Sequence, residues 1–535
     1  MHRTQVYPPF ALNCIHGHRR AAFAMPAKDL RLLRRSLLGK LSQSSGVALP
    51  PEGILNAPAR VLQFGTGRFL RAFADWMLQR AAAQGAYRGR AILVQSTGAA
   101  SVESLHRQDC LYTVAIRGAM DGHHQEEFEV VGSVASAFVA TLEWAGVLAT
   151  AAYPNLNVVI SNTTEVGLTP DERDAPNDAP PRSFPGKLTA WLYRRYTELG
   201  PGPASRALVL PCELLENNGE LLRAAVEQTA ARWDLPTEFA VWLRERVAFC
   251  NTLVDRIVTG YPPPDQLAEI EGRLGYRDAL LDLCEPYHLW AIQAEDDVRA
   301  LFPLHQAGLQ VIYAANIIPH RERKLRLLNG THTLMAPMAC LLGHTYVCDA
   351  MDDPLTAAWA ERLLMDELVP TLPHSRTELM EYAETVLARF RNPYLRHRWE
   401  DILQNTTAKI RIRVVPSLLA YAAASGRTPT LAALGLAAWI VLILGLDPAS
   451  TTPTFAGPSG SVELRDREAA DLRRRIRPPV RLEDVRGLVR RLLAARGTWD
   501  ADLAVVPGMV DAVSAAVADT MQHGPRAAMQ MRVRL

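Results

Sequence analysis

The sequence predicts an α/β domain built on a doubly wound parallel sheet, followed by a mainly α-helical domain. Up to about residue 315, apolar runs of strand length alternate with segments of helical periodicity, which is typical of a parallel sheet covered by helices. After about residue 316 the strand-like runs stop and helical patterns follow one another. We therefore expect an N-terminal extension over 1–54, a first domain over 55–315 and a helical domain over 316–535.

The strands predicted for the first domain are RVLQFG (60–65), AILVQS (91–96), NLNVVIS (155–161), ALVLPCE (207–213) and LQVIYAA (309–315). Helical patterns such as 69–84 and 186–199 lie between them, and the Pro/Asp-rich stretch 171–186 is predicted to be an exposed loop. The helices predicted for the second domain are 324–343, 354–370, 376–391, 399–423, 429–446, 480–495 and 507–522. The Pro/Gly/Ser/Thr-rich stretch 447–461 is predicted to be a loop.

Composition restricts the kinds of partner. The 58 Lys and Arg residues nearly balance 56 Asp and Glu residues, so no overall field attracts nucleic acid or a membrane surface. The longest uncharged apolar run, 431–446, is shorter than the roughly 20 residues that a membrane span needs, which favours a buried helix. Residues 1–54 are basic but lack the apolar core of a signal peptide; we expect a disordered or helical extension, with Met25 as an alternative start.

Cysteine usage indicates a reducing compartment. The seven cysteines are odd in number, scattered, and never arranged as a CxxC pair. This pattern is typical neither of a disulfide framework nor of a structural zinc site. We therefore expect a cytoplasmic protein without a metal site.

The first predicted strand runs directly into the loop FGTGRF. Glycines at such a turn let the backbone approach a pyrophosphate, and the N-terminus of the following helix offers free N–H groups. Leu70 replaces the third glycine of the full dinucleotide fingerprint, but the position of the loop after the first strand predicts a Rossmann-type nucleotide site. The predicted cofactor residues in this loop are Phe64, Gly65, Thr66, Gly67 and Phe69.

Two further strand ends bear on the cofactor. Asn162 and Thr163 follow the strand 155–161 at the sheet edge where α/β proteins bind ligands, so they are predicted to contact the ribose or the nicotinamide amide. An ordinary helix-capping turn is the alternative. The second strand ends in the segment 95–97, QST, which has no acid for a ribose diol and no arginine for a 2′-phosphate. Spacing alone therefore leaves NAD and NADP open.

The stretch KLRLLNGTH combines three polar side chains with apolar neighbours. At about 100° per residue, Asn329 lies roughly 140° and His332 roughly 80° from Lys324, so the three side chains share one broad helix face. A desolvated lysine is a known way to obtain a proton-transfer group that works near neutral pH. The alternative is a lysine that extends to solvent beside an ordinary core histidine.

Together these motifs resemble the polyol-specific long-chain dehydrogenase/reductase family, which includes mannitol dehydrogenase. The resemblance runs from about Arg60 to Leu535, and its motifs occur in one order: QFGTGRFLRAFADW, SNTTEVG, FPGKLTAWLYRR, LPCELLENNG, TLVDRIVTGYP, ERKLRLLNGTHT, RFRNPYLRH and WDADLAVVPGMV. It implies a Rossmann domain joined to a helical domain with the active site between them, an NAD cofactor, and acid/base catalysis by a lysine without a metal.

Carried over to this chain, the resemblance makes Lys324 the acid/base. It implies that Asn329 and Asn218 hydrogen-bond the reacting oxygen, with Asn217 as the alternative to Asn218, and that His332 binds a neighbouring hydroxyl group. The implied reaction is the reversible reduction of a keto hexuronate, a small sugar acid. Another sugar acid or a polyol of the same family is the alternative substrate.

A sugar-acid substrate requires a cationic group for its carboxylate, ideally an arginine that binds both oxygens. The candidates in the matching segment of the helical domain are Arg389, Arg391, His397 and Lys409, and each has a surface charge as its alternative role. Asp255 and Arg256, in TLVDRIVTG, are predicted to orient the substrate or the lysine helix, with an intramolecular ion pair as the alternative. Glu322 is a further candidate for gating the lysine proton.

Overall fold

The computed structural model describes residues 30–41, 46–120, 123–446, 453–457, 460–476 and 480–533. Residues 1–29, which are part of the predicted extension, lie outside the described residues. The strands are Val47–Ala48 (β1), Ala59–Phe64 (β2), Arg90–Gln95 (β3), Tyr112–Met120 (β4), His123–Val131 (β5), Val134–Val139 (β6), Val158–Ser161 (β7), Ala207–Pro211 (β8), Val247–Phe249 (β9), Thr252–Asp255 (β10), Val258–Gly260 (β11), Asp282–Cys284 (β12), Leu289–Gln293 (β13), Val311–Ala314 (β14), Thr454–Gly457 (β15) and Gly460–Glu463 (β16).

The helices of the first half are Arg35–Leu41 (α1), Arg68–Leu70 (α2), Trp76–Ala83 (α3), Ala100–Arg107 (α4), Ala140–Ala149 (α5), Phe184–Leu199 (α6), Asn218–Arg232 (α7), Thr237–Arg246 (α8), Pro264–Leu274 (α9) and Asp296–Leu301 (α10). Those of the second half are Ile318–Arg323 (α11), Gly330–Leu342 (α12), Val347–Asp352 (α13), Pro354–Arg362 (α14), Arg376–Phe390 (α15), Trp399–Leu403 (α16), Thr406–Arg413 (α17), Val415–Ser425 (α18), Thr430–Leu444 (α19), Arg467–Arg475 (α20), Val485–Leu493 (α21), Arg496–Trp499 (α22), Met509–His523 (α23) and Pro525–Gln530 (α24). The π-helical segments are Arg71–Asp75, Lys324–Asn329 and Leu363–Leu368.

The main sheet has six parallel strands in the order β6-β3-β2-β7-β8-β9. Successive residues of a strand face opposite sides of a sheet, and here both sides are apolar. Val61 packs into one core with α3, whereas Leu62 packs into another core with α6 and α8. The predicted doubly wound parallel sheet is confirmed, and the predicted strands 60–65, 91–96, 155–161 and 207–213 form β2, β3, β7 and β8.

The fifth predicted strand, 309–315, forms β14 but belongs to a different sheet. It pairs in parallel with β13, which also pairs with β10 in antiparallel orientation. A mixed five-stranded sheet, β1-β5-β4-β12-β11, completes the first half. The mixed five-stranded sheet is absent from the sequence-based prediction, because β5 reads as the polar stretch HHQEEFEVV.

Part of the predicted extension belongs to the folded structure. β1 pairs with β5, Leu32 forms a β-bridge with Arg277, and the Leu33 side chain is fully buried. The helix α1 agrees with the helical form of the prediction. The described residues of 1–54 therefore contribute to the first domain.

The second half is mainly helical, as predicted. The apolar run 431–446 forms most of α19, whose side chains are buried among the surrounding helices. Within the described residues, no helix combines the length and the apolar character needed to cross a membrane. The predicted loop 447–461 is corrected in part, since β15 and β16 form a hairpin in which Phe455 and Val462 pack on the helical core.

Candidate active site

The loop after β2 forms one wall of a cleft at the carboxyl edge of the main sheet. Gly65 has a φ of 130°, and a Cβ atom built there would lie 3.2 Å from Leu70 and 3.4 Å from the Asn162 carbonyl oxygen. A Cβ atom at Gly67 would meet no atom within 4 Å. Gly65 thus permits the close packing of the loop, whereas Gly67 leaves its outer side open.

A network of buried polar groups holds this loop from inside. The Arg71 guanidinium donates to the Thr66 carbonyl oxygen at 2.8 Å and forms a buried ion pair with Asp282 at 2.9 Å. The Gln63 amide donates to the Gly65 carbonyl oxygen at 3.1 Å. Gln63, Arg71 and Asp282 are not among the predicted site residues, and only the position of Arg71 inside the motif FGTGRFLR could have suggested its role.

The cleft has a volume of about 890 Å³ and brings several predicted cofactor residues together. Its walls include Phe64, Gly65, Thr66, Gln95, Ser96, Asn162 and Thr163. Gly67 lines a smaller cavity beside it, and Phe69 stacks on Phe73 with ring centroids 4.9 Å apart. The size of the cleft, its glycine loop and its position at the strand ends fit a dinucleotide.

Asn162 and Thr163 are held by the next strand loop. The Asn162 amide donates to the Cys212 carbonyl oxygen at 2.6 Å. The Thr163 N–H and hydroxyl groups both donate to the Glu213 carboxylate, at 2.9 and 3.1 Å. Glu213 is therefore a supporting residue that the sequence does not predict, although it lies within the motif LPCELLENNG.

The candidate catalytic residues Lys324 and Asn329 lie on a π-helical segment. The Gly330 N–H bonds to the carbonyl oxygen of Leu325, five residues earlier, which is the π-helical pattern. The wider π-helical turn brings Asn329 nearer to the side of Lys324 than the roughly 140° that α-helical spacing predicts. Short π segments of this kind occur frequently at functional sites.

The Lys324 ammonium lies beside a buried carboxylate. It donates to the Val254 carbonyl oxygen at 2.6 Å and lies 3.7 Å from an Asp255 carboxylate oxygen. Burial lowers the pKa of Lys324, and Asp255 opposes that shift by stabilising the charged form. The arrangement yields a lysine whose pKa is below its ordinary value, which suits proton transfer.

The Arg389 side chain binds two carboxylates. Its guanidinium donates to both oxygens of Asp255, at 2.8 and 3.1 Å, and to both oxygens of Glu285, at 2.8 and 2.9 Å. All three side chains are buried. Burial acts to raise the pKa of Asp255, but Arg389 and Lys324 together hold that pKa below its ordinary value. Arg389 thus positions Asp255, and its predicted contact with a substrate carboxylate stays a prediction.

The two predicted asparagines have different surroundings. The half-buried Asn329 side chain has no hydrogen-bond partner among the residues that the structure describes. The buried Asn218 amide donates to the carbonyl oxygens of Pro211, Glu213 and Thr252, at 3.0 to 3.1 Å, and accepts from the Thr252 N–H. Asn218 therefore ties β8 to β10, and its predicted contact with the reacting oxygen stays a prediction. Its neighbour Asn217 is exposed.

His332 and His397 lie together in an aromatic group. The His332 ring stacks on Phe390 at 3.9 Å and faces the edge of His397 at 5.6 Å. Burial lowers the pKa of His332 well below its ordinary value, so the ring is neutral near pH 7. Its Nε2 atom is buried without a hydrogen-bond partner, as is the Nδ1 atom of His397. Such atoms fit the hydroxyl groups of a bound ligand.

The remaining predicted residues are placed as follows. Lys409, on α17, donates from its ammonium group to the Ile402 carbonyl oxygen of α16 at 2.7 Å. Arg391 is exposed and lies 3.7 Å from Glu361. Arg256 does not pair with Asp255; it donates to the carbonyl oxygens of Glu285 and Ala72. Within the described ranges, no group of three or more His, Cys, Asp or Glu side chains has an arrangement that could hold a metal ion.

Two family models match the chain, the mannitol dehydrogenase Rossmann domain over residues 59–304 and the mannitol dehydrogenase C-terminal domain over 316–521. The chain belongs to the mannitol dehydrogenase family. As a member of the mannitol dehydrogenase family, it is an oxidoreductase acting on a CH–OH group.

Relatives within this family are similar over most of their length. An altronate oxidoreductase from Halalkalibacterium halodurans is 39% identical over 480 residues, covering 88% of this chain and 93% of that protein. An altronate oxidoreductase from Klebsiella pneumoniae strain 342 is 36% identical, with 88% and 96% covered. The altronate oxidoreductase of Bacillus subtilis strain 168 is 35% identical, with 85% and 92% covered.

Two solved structures share the fold of this chain. Mannitol 2-dehydrogenase of Pseudomonas fluorescens, in a ternary complex with NAD and D-mannitol, superposes with a TM-score of 0.71 at 22% identity and covers 94% of this chain and 99% of its own. A substrate-free D-sorbitol dehydrogenase superposes with a TM-score of 0.77 at 23% identity, with 93% and 100% covered. The two-domain architecture of this chain is therefore that of the mannitol dehydrogenase family.

Proposed function

We propose that this protein catalyses the reversible, NAD-dependent reduction of D-tagaturonate to D-altronate in hexuronate breakdown, with Lys324 as the acid/base. The observation that carries the proposal is the largely enclosed Lys324 ammonium 3.7 Å from Asp255, on the same π-helical segment as the unpartnered amide of Asn329. The choice of substrate is supported by relatives named altronate oxidoreductase, which are 35–39% identical. The cytoplasm is the expected location, since the six cysteines in the described ranges are buried free thiols.

Asn329 and Lys324 have separate roles in the proposed reaction. Bound NADH supplies the hydride for the ketone carbon. Reduction builds negative charge on the ketone oxygen, and the Asn329 amide stabilises it by donating a hydrogen bond. The Lys324 ammonium then gives that oxygen a proton. In the direction of oxidation, the neutral Lys324 amine takes the proton from the altronate hydroxyl group.

The surroundings of Lys324 suit a group that works in both directions. Burial favours the neutral amine, whereas the carboxylate of Asp255 favours the ammonium. Because Arg389 binds both oxygens of Asp255, this carboxylate is fixed in place and stays ionised. The neutral His332 ring is suited to bind a neighbouring substrate hydroxyl through its unpartnered Nε2 atom.

NAD is the proposed cofactor, and the turn after β3 supports this choice. The carboxyl end of β3 presents Gln95, whose side chain accepts from the Thr66 hydroxyl at 3.0 Å and donates to the Thr97 carbonyl oxygen at 2.8 Å. This turn brings no arginine to a 2′-phosphate. Steady-state rates should therefore be higher with NADH than with NADPH, and equal or faster turnover with NADPH would contradict the proposal.

A substrate panel tests the proposed reaction. Initial rates with NADH should be greatest for tagaturonate, compared with fructuronate and fructose at equal concentrations. A higher kcat/KM for fructuronate or fructose would assign the protein to another activity of its family.

Substitution of the lysine tests the mechanism. Lys324→Ala should lower kcat for ketone reduction by a factor of about 10²–10⁴, the usual contribution of a positioned proton donor. The affinity for NADH, measured by quenching of protein fluorescence, should hardly change, because the nucleotide loop lies on the other domain. A folded variant with near-normal kcat in both directions would refute the role of Lys324.

A further inference from the structure

We infer that Arg413 binds the carboxylate of the substrate and thereby selects sugar acids over neutral polyols and ketoses. This inference rests on the proposed function, because it concerns the end of the substrate that does not react. None of the carboxylate-binding candidates predicted from the sequence is Arg413, which lies inside the predicted helix 399–423.

Arg413 is the last residue of α17, and it lies against the helix that carries the candidate catalytic groups. Its carbonyl oxygen lies 3.2 Å from a Cβ atom built at Gly330. Its guanidinium reaches the hydroxyl of Thr333, the residue after His332, at 3.5 Å. The absence of a side chain at Gly330 permits this close approach, so the guanidinium reaches the helix one residue beyond His332.

The positive charge of Arg413 affects both Lys324 and His332. It lowers the pKa of Lys324 and that of His332, in each case as a smaller contribution than burial. Lys409 lies four residues earlier on α17, hence on the same helix face, and also lowers the pKa of His332. α17 therefore presents two positive charges toward the His332 side of the site.

The two carboxylates nearest Lys324 are bound by another arginine. Asp255 and Glu285 are both bound by the guanidinium of Arg389. Arg413 and Lys409 thus bring two cationic side chains to the side of the site where His332 is buried. A positive site with low-dielectric walls attracts an anionic group.

The order of the ketone, hydroxyl and carboxylate groups along the substrate matches the order of Lys324, His332 and α17 in the site. In tagaturonate the ketone and the carboxylate lie near opposite ends of the carbon chain, with hydroxyl groups between them. A ketone at Lys324 and Asn329 places the middle hydroxyl groups beside His332 and directs the carboxylate toward α17. An arginine fork binds both oxygens of a carboxylate, which a lysine ammonium does not match geometrically.

The experiment compares D-altronate with D-altritol, in which a hydroxymethyl group replaces the carboxylate. Dissociation constants are measured by calorimetry on the full chain saturated with NADH, so that no turnover occurs. The wild-type protein should bind altronate at least tenfold more tightly than altritol. Arg413→Gln should weaken altronate binding by a factor of about 10–100, the usual contribution of a charged hydrogen bond, and should change altritol binding less than about threefold.

Two further variants separate this role from a structural one. Arg413→Lys keeps the charge and should retain part of the preference for altronate. Arg391→Gln removes an exposed arginine that pairs with Glu361, and it should leave the preference unchanged. Thermal melting of each variant identifies any loss of folding, and if Arg413→Gln does not fold, Arg413→Lys decides the question by its weaker altronate binding.

The outcomes distinguish this inference from the proposed function. A wild-type protein that does not oxidise altronate with NAD would overturn the proposed function. A wild-type protein that oxidises altronate, together with an Arg413→Gln variant that keeps the preference for altronate over altritol, would overturn the inference alone. An equal loss of affinity for both ligands would also overturn it, since it would show that Arg413 only supports the site.

Discussion

The pKa of Lys324 should depend strongly on Asp255. Asp255→Asn replaces the carboxylate with a neutral amide of nearly the same shape. The carboxylate stabilises the ammonium form of Lys324, so its removal should lower the pKa of the lysine further. Arg389, which also lowers that pKa, would then be less well compensated and would act in the same direction.

The size of the effect follows from the distance between the two groups. Opposite charges about 4 Å apart interact by about 4 kcal/mol at an effective dielectric constant of about 20, which corresponds to about 3 pKa units. The separation here is 3.7 Å. Because Arg389 already neutralises part of the Asp255 charge, we expect a fall in the Lys324 pKa of about 1–3 units.

The assay is the pH dependence of the rate in both directions. Oxidation of altronate requires the neutral amine, so its rate should rise with pH through the Lys324 pKa. Reduction of tagaturonate requires the ammonium, so its rate should fall through the same pKa. In Asp255→Asn both transitions should move to lower pH, leaving reduction slow and oxidation fast at neutral pH.

Glu285→Gln is the matched control. It also removes one carboxylate from Arg389, but Glu285 contributes less than Asp255 to the pKa of Lys324. Its transitions should therefore move less than those of Asp255→Asn. Equal shifts in the two variants, or an unchanged profile in Asp255→Asn, would refute the electrostatic account of Lys324.

Three other changes test the remaining parts of the site. Asn218→Ala should destabilise the fold by about 1–3 kcal/mol, because it leaves the buried Thr252 N–H unpaired, as thermal melting can measure; an unchanged melting temperature with a 100-fold lower kcat would instead indicate a catalytic role. Arg71→Met should raise the KM for NADH by about tenfold, since the Thr66 carbonyl loses a charged donor, and an unchanged KM would show that the loop is held by other contacts. Exhaustive treatment with EDTA should leave the rate unchanged, because Lys324 provides the proton chemistry; activity lost and then restored by zinc would contradict this.

The sequence predicts the main sheet well, because its central strands are buried on both faces and read as continuous apolar runs. It does not predict the mixed five-stranded sheet that contains β5. The polar residues of β5 look solvent-exposed in the sequence, yet Glu129 is buried and accepts hydrogen bonds from Trp76, Gln79 and Arg80. Those partners lie about fifty residues earlier, and no local pattern connects them.

The same distinction applies to the candidate site. Lys324, Asn329 and His332 are recognisable because they lie within nine residues of one another. The π-helical winding that brings Asn329 nearer to the side of Lys324 depends on how this helix packs against its neighbours. Arg389 and Asp255 are separated by 134 residues, so their ion pair becomes visible only in the folded structure. The resemblance to a family could name such residues but could not distinguish a positioning role from contact with substrate.

The Arg389 ion pairs also constrain how the two halves of the protein move. Asp255 and Glu285 belong to the first half and Arg389 to the second, so a hinge motion that separated the two halves would pull a buried cation away from two buried anions. Separating buried partners in this way costs several kcal/mol, which makes a widely opened form a rare species. The placement of Lys324 beside Asp255 is therefore formed before ligands bind, and small-angle X-ray scattering should give the same radius of gyration with and without NADH.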